Sequence, residues 1–198
     1  MTYSKSASTR AAAIRSTAQL LRAQGYAATG LSDIVKESGV PKGSLYHHFP
    51  EGKSEIASAA LDATAGRLRS HLEALVASHP GDPVAAVEDF CNRYIEQLEA
   101  SQFVLGCPVA TVSLEYVEGT VQEACGRAFD VILSVLGAAL EARGLSKRRA
   151  AAASLFTVSA IEGALVLSKA QASTEPLARV RNTLGEYLRS LIANEAAP

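Results

Sequence analysis

Residues 31–49 read Leu-Ser-Asp-Ile-Val-Lys-Glu-Ser-Gly-Val-Pro-Lys-Gly-Ser-Leu-Tyr-His-His-Phe. A cation, a position without a side chain, two hydroxyls and an imidazole follow closely at Lys42, Gly43, Ser44, Tyr46 and His47. This set suits a polyanion. Lys42 reaches a phosphate or a guanine edge, Ser44 donates at short range, and Gly43 removes a side chain that would hold a helix away. Tyr46 and His47 offer donors to phosphates, contacts that position rather than specify. Lys53, beside the N–H groups that open the next helix near Ser54, makes another phosphate-seeking spot. Adjacent His47 and His48 point about 100° apart on a helix and do not chelate one ion.

Two short helices must position these groups. One runs from about Ser32 to Ser38 and stops at Gly39. The other starts at Pro41, whose missing N–H is not needed in a first turn, and ends near Phe49 before Pro50. Ile34 and Val35 pack against Val40 and Leu45, which leaves Pro41, Lys42, Gly43, Ser44, Tyr46 and His47 outward. That is a helix-turn-helix, the device that places a second helix in the major groove of DNA. Charge agrees. Residues 1–54 hold seven Lys and Arg against three Asp and Glu, an excess of +4; the remainder holds twelve against seventeen, or −5. The net −1 of the whole excludes a uniformly basic protein, and 48% apolar residues exclude general disorder.

The rest of the 198 residues also reads as helix, about nine in all, so the predicted class is all-α. The first helix spans about Thr9–Gln24, capped by Ser8 or Thr9 and stopped by Gly25. A fourth spans about Ser54–Ser78. The fifth has Asp82 as cap, Pro83 in its first turn, and the stripe Val84, Val87, Cys91, Tyr94 and Leu98. A sixth covers about 108–117, and a seventh opens at the capping-box spacing Thr120–Glu123. The eighth spans about 147–172. The ninth, about 176–193, carries Leu177, Val180, Leu184, Tyr187, Leu188 and Leu191 at heptad-like spacing. Long helices replace short ones near residues 50–54, which predicts a head over 1–53 and a body over 54–198.

Cys91, Cys107 and Cys125 are widely separated, and no metal-ligand spacing occurs, so neither metal nor cofactor is expected. Residues 1–15 hold no apolar leader, and the longest apolar stretches are interrupted, so the expectation is a cytoplasmic protein without a membrane span.

Gly25-Tyr26, Thr29-Gly30-Leu31-Ser32-Asp33-Ile34 and the run from Gly39 to Lys53, with Gly-Ser-Leu-Tyr-His-His-Phe at its centre, resemble the N-terminal signature of the TetR family of one-component bacterial repressors. Gly106-Cys107-Pro108-Val109 and Glu162-Gly163-Ala164-Leu165 resemble the lincomycin-resistance-regulator-like branch of that family. The resemblance implies a homodimer whose first three helices bind operator DNA and whose other helices bind a small-molecule effector. Family members usually carry Ser or Thr where Gly30 stands, so Thr29 or Ser32 is the expected substitute contact. Helices eight and nine are implied to pair across the two-fold axis, with Leu177, Val180, Leu184, Tyr187, Leu188 and Leu191 at the interface.

Tyr94, Phe103, Cys107, Phe129, Phe156 and Glu162 are the candidate effector contacts. A seventh helix that is apolar on more than one face supports a cavity among them. Glu162 interrupts an apolar helix; it lines the pocket, pairs across the dimer or caps a neighbour. Cys107 precedes Pro108 at a helix start, where a thiol is activated, yet no base sits at a suggestive local spacing, so a lining role is expected. The reading is therefore a ligand-released, non-enzymatic repressor binding a palindromic operator. The alternatives are a helical small-molecule-binding or interaction protein without DNA binding, and a thiol enzyme using Cys107.

Overall fold

The computed structural model describes residues 2–196. Among them lie nine helices and no strand: α1 (Thr2–Gln24), α2 (Leu31–Ser38), α3 (Lys42–His48), α4 (Lys53–Ser78), α5 (Pro83–Ala100), α6 (Pro108–Ser113), α7 (Gly119–Ala142), α8 (Lys147–Gln171) and α9 (Glu175–Ala196). The fold is all-α, as the periodicity predicts. Two compact units result. One holds residues 2–66 with Cys107–Phe129, the other Arg67–Gly106 with residues 130–196.

In the first unit, α1 packs against α2, α3 and α6. Its centre is Ala13, Ile34, Val40, Leu45, Phe49 and Ile56, all 5% exposed or less. Each large side chain buried there contributes about 1.5–3 kcal/mol. The α2–α3 turn needs Gly39, which sits at φ +65 and donates its N–H to Val35 O at 3.0 Å. α1 begins at Thr2 rather than at the expected Ser8 or Thr9 cap, so those residues lie inside the helix. α6 stops at Ser113 instead of 117. The freed residues form a loop to α7, which starts at Gly119, one residue before the expected Thr120.

In the second unit, α9 packs on α5 and α8. α5 starts as its sequence dictates: the Asp82 carboxylate accepts from Val84 N–H and Ala85 N–H, each at 3.1 Å, and Pro83 fills the first turn. Leu98, Leu177, Leu184 and Leu188 are at most 1% exposed and form the middle of the core. Three residues expected at the dimer interface are thereby reassigned. Leu177, Leu184 and Leu188 lie within the chain's own interior and present no surface to a partner. Heptad-like spacing identifies a helix face that must be covered, and here α5 and α8 cover it. Val180 and Leu191 are half-buried, and Tyr187 is exposed.

α8 is long and apolar enough to cross a membrane by length and composition, with mean hydropathy 1.8 over 18 residues, which the sequence reading did not anticipate. One of its faces, with Ala153, Thr157, Ile161, Ala164 and Leu165, is buried in the unit. The opposite face, at about 100° per residue, carries Leu155, Phe156, Val166 and Leu167, each about half exposed.

Candidate functional site

α3 is pinned from beneath. Leu45 and Phe49 are 1% and 0% exposed, and the Arg10 guanidinium lies 5.1 Å from the Phe49 ring centroid. Backbone bonds from Leu45 N–H to Pro41 O (3.0 Å) and Phe49 N–H to Leu45 O (2.9 Å) close both ends. With that side fixed, Pro41, Lys42, Gly43, Tyr46 and His47 are exposed together, and Ser44 is half-buried among them. A β-carbon on Gly43 would meet nothing within 4 Å, so the helix surface is open there. His48 is half-buried, its ring 5.3 Å from that of His47 and 6.4 Å from that of Phe49.

Two expected contacts behave differently. Thr29 is 1% exposed and its hydroxyl donates to Gly25 O at 2.6 Å, so it closes the α1–α2 turn and is not offered to a ligand. Lys53 donates to Ala27 O at 3.3 Å and holds its ammonium 4.2 Å from the Tyr26 ring centroid. Ser32 is exposed on α2. At Gly30 the missing hydroxyl cap is replaced from the other direction: the Asp33 carboxylate accepts Gly30 N–H at 2.8 Å. Such a bond stabilises the helix start by about 1 kcal/mol.

The second unit holds a small, partly open apolar pocket, a cavity of about 40 Å³. Its wall comes from α4 (Leu72, Leu75, Val76), α5 (Ala86, Val87, Phe90), α7 (Ile132, Val135, Leu136) and α8 (Thr157, Val158, Ile161, Glu162). Thr157 is 1% exposed, and its hydroxyl finds no hydrogen-bond partner in the protein. His71, one residue before Leu72, sits 6.5 Å from the Phe90 ring; burial, then the Arg93 charge, lowers its pKa.

Of the six expected effector contacts, Glu162 is in this wall. Tyr94 lies behind it, edge-on to Phe90 at 5.1 Å. Phe103 belongs to the loop after α5, at φ +61. Phe156 is on the exposed face of α8, with its ring 5.1 Å from that of Tyr187. Cys107 and Phe129 belong to the first unit and are not among the lining residues. Tyr94, Phe103, Cys107, Phe129 and Phe156 are thus placed elsewhere than expected. Phe90 and Ile161 were missed, although Val87–Phe90 and Thr157–Ile161 stand at helical spacing. Periodicity marks them as inward, and nothing in it separates a filled core from a hollow one.

The cysteines are buried. Burial pushes the Cys91 thiol up to about 12 against the opposing pull of Arg181, and burial raises Cys125 despite a hydrogen bond with Ser113. At both, burial disfavours the thiolate that a nucleophile needs.

Residues 13–60 match the family model of bacterial regulatory proteins of the tetR family, and residues 83–183 match that of the C-terminal domain of LmrA/YxaF-like transcriptional regulators. The HTH-type transcriptional regulator YxaF of Bacillus subtilis (strain 168) is 32% identical over 178 residues, 89% of this chain and 93% of the relative. LmrA of the same organism is 32% identical over 173 residues, 86% of this chain and 92% of the relative. Among solved structures, a regulatory protein TetR from Rhodobacter sphaeroides superposes with a TM-score of 0.79 at 22% identity, covering 88% of this chain and 96% of that one. An exposed recognition helix over a fixed core, a helical unit with an apolar cavity, and both family matches lead to one conclusion: the chain belongs to the TetR family of DNA-binding transcriptional regulators, within its LmrA/YxaF-like branch.

Proposed function

We propose that the chain is a homodimeric repressor that leaves its operator when a small, largely apolar effector fills the cavity of the second unit. The observation that carries the effector half is that cavity, small and partly open, walled by aliphatic and aromatic side chains, with the Thr157 hydroxyl buried and unpartnered. An effector that is mostly apolar and offers one hydrogen-bonding group to Thr157 gains the transfer energy of its surface and relieves a buried polar atom.

DNA binding is assigned to residues 1–53, with Pro41, Lys42, Gly43, Ser44, Tyr46 and His47 in the major groove and Ser32 on the backbone. A two-fold dimer demands a palindromic operator with half-sites one helical turn or slightly more apart. Residues 54–198 hold the effector and the dimer contact. We place that contact on the outer face of α8, where Leu155, Phe156, Val166 and Leu167 are exposed, flanked by Tyr187 of α9. A second copy is the occupant that family membership favours, and a face this apolar is otherwise costly to leave in water. The protein would act in the cytoplasm, where its DNA is. Repression is relieved only if the effector binds the DNA-released state better, and a coupling of about 1–3 kcal/mol weakens DNA binding 5–150-fold.

The test is selection of duplexes from the host's own DNA by the purified protein, followed by titration with a set of apolar compounds. A recovered palindrome, steep loss of binding with salt, and at least one compound that lowers affinity are expected. Recovery of no duplex would argue for a helical binding protein without DNA-binding activity.

A further inference from the structure

The turn between α1 and α2 is gripped by a residue from far along the chain. Gly25 ends α1 at φ +78, and the next two N–H groups, of Tyr26 and Ala27, are both taken by the Glu115 carboxylate. Oε1 accepts from Tyr26 at 2.9 Å and Oε2 from Ala27 at 2.6 Å. Hydrogen bonds to a charged acceptor are the strong kind, and two of them fix the orientation of the turn. Gly25 serves this contact as well as the turn, because a β-carbon there would fall on Glu115 Oε1. Lys53 supplies a second grip on the same two residues, through Ala27 O and the Tyr26 ring.

What is held matters for recognition. The turn runs directly into Thr29 and Gly30, the cap of α2, and α3 follows after the Gly39 turn. The holder lies outside this motif, in the loop between α6 and α7. Both grips belong to stretches of chain whose later residues line the cavity. α4 begins at Lys53 and later supplies Leu72, Leu75 and Val76, and the α7 that follows Glu115 supplies Ile132, Val135 and Leu136.

We propose that Glu115 is a positioning residue for DNA binding: its carboxylate locks the α1–α2 turn in the arrangement that presents α3, and its withdrawal lowers DNA affinity while the unit stays folded. The role rests on α3 being the groove-entering helix. The experiment uses the full chain, a duplex selected by the wild-type protein from a random-sequence library, and the variants Glu115→Ala and Glu115→Gln. Amide hydrogen exchange of Tyr26 and Ala27 is measured without DNA, beside the melting temperature and the duplex affinity.

For Glu115→Ala, the two amides should exchange about 10-fold faster or more and affinity should fall about 10-fold or more, the scale of one charge-assisted bond, with little change in melting temperature. Glu115→Gln keeps one carbonyl acceptor and should recover part of both losses. If Glu115→Ala does not fold, Glu115→Gln alone must show the paired effect. Wild-type affinity in a variant with fast amides overturns the proposal and leaves the grip a purely structural bond. Unchanged amides overturn it as well, since the turn would then be held by other contacts. A wild-type protein that selects no duplex sinks the DNA-binding assignment and this role with it, and that result is distinguishable because it comes before any variant is made.

Discussion

Thr29 in the α1–α2 turn and Thr157 in the cavity wall are each 1% exposed. The Thr29 hydroxyl donates to Gly25 O, and the Thr157 hydroxyl meets no protein partner. The regions around them differ in the same way. Near Thr29, Asp33 takes Gly30 N–H, Ser38 donates to Ile34 O at 2.6 Å, and Glu115 takes two more N–H groups. Near Thr157 the wall is almost wholly apolar. A buried polar group with its partner fixes a geometry. One without a partner costs about 1–3 kcal/mol until something supplies a bond. On the proposed function, the first region holds a rigid shape against DNA and the second responds to an arriving molecule.

The contrast is open to direct attack. Leu184→Asp puts a carboxylate into the interior of the second unit and should cost about 4 kcal/mol or more, read as a large fall in the urea midpoint. A stable, merely monomeric variant would mean that α9 faces a partner after all. Leu167→Asp, on the exposed face of α8, should leave the melting curve of the protomer nearly intact while weakening dimerisation about 100-fold, measured by ultracentrifugation across a dilution series. An unaffected dimer would move the interface elsewhere. Lys42→Ala should lower operator affinity about 10-fold and reduce the salt slope by about 1, the signature of one lost phosphate contact. An unchanged slope would remove Lys42 from the backbone. The smallest effects test the two threonines. Thr29→Val strands Gly25 O and should destabilise by about 1–2 kcal/mol, whereas Thr157→Val should stabilise the ligand-free protein by about 1 kcal/mol and weaken effector binding. Equal signs in the two melting shifts would erase the distinction.

Legibility in the sequence follows the range of the interactions. The Gly39 turn and the Asp82–Pro83 start of α5 are set by neighbours a few residues apart, and each stands where the sequence places it, while α3 begins one residue later than expected, with Pro41 as its cap. The outward set on α3 follows from Leu45 and Phe49 facing inward. Long-range features were hidden. Leu177, Leu184 and Leu188 announce a covered face, but only the packing of α5 and α8 says what covers it. α8 hides its interface candidate for a related reason: both faces are apolar, so periodicity finds no polar side to set against a buried one. Glu115 lies 88 residues beyond Ala27, and no local pattern links a loop glutamate to a distant turn.

The two greasy sides of α8 carry a consequence for the newly made chain. One side is consumed by folding; under the proposed dimer contact the other is covered only when a second copy arrives, and until then Phe156 and Leu167 stay half exposed. Under that proposal, the dimerisation constant sets the lowest concentration at which the form that binds a palindrome is populated.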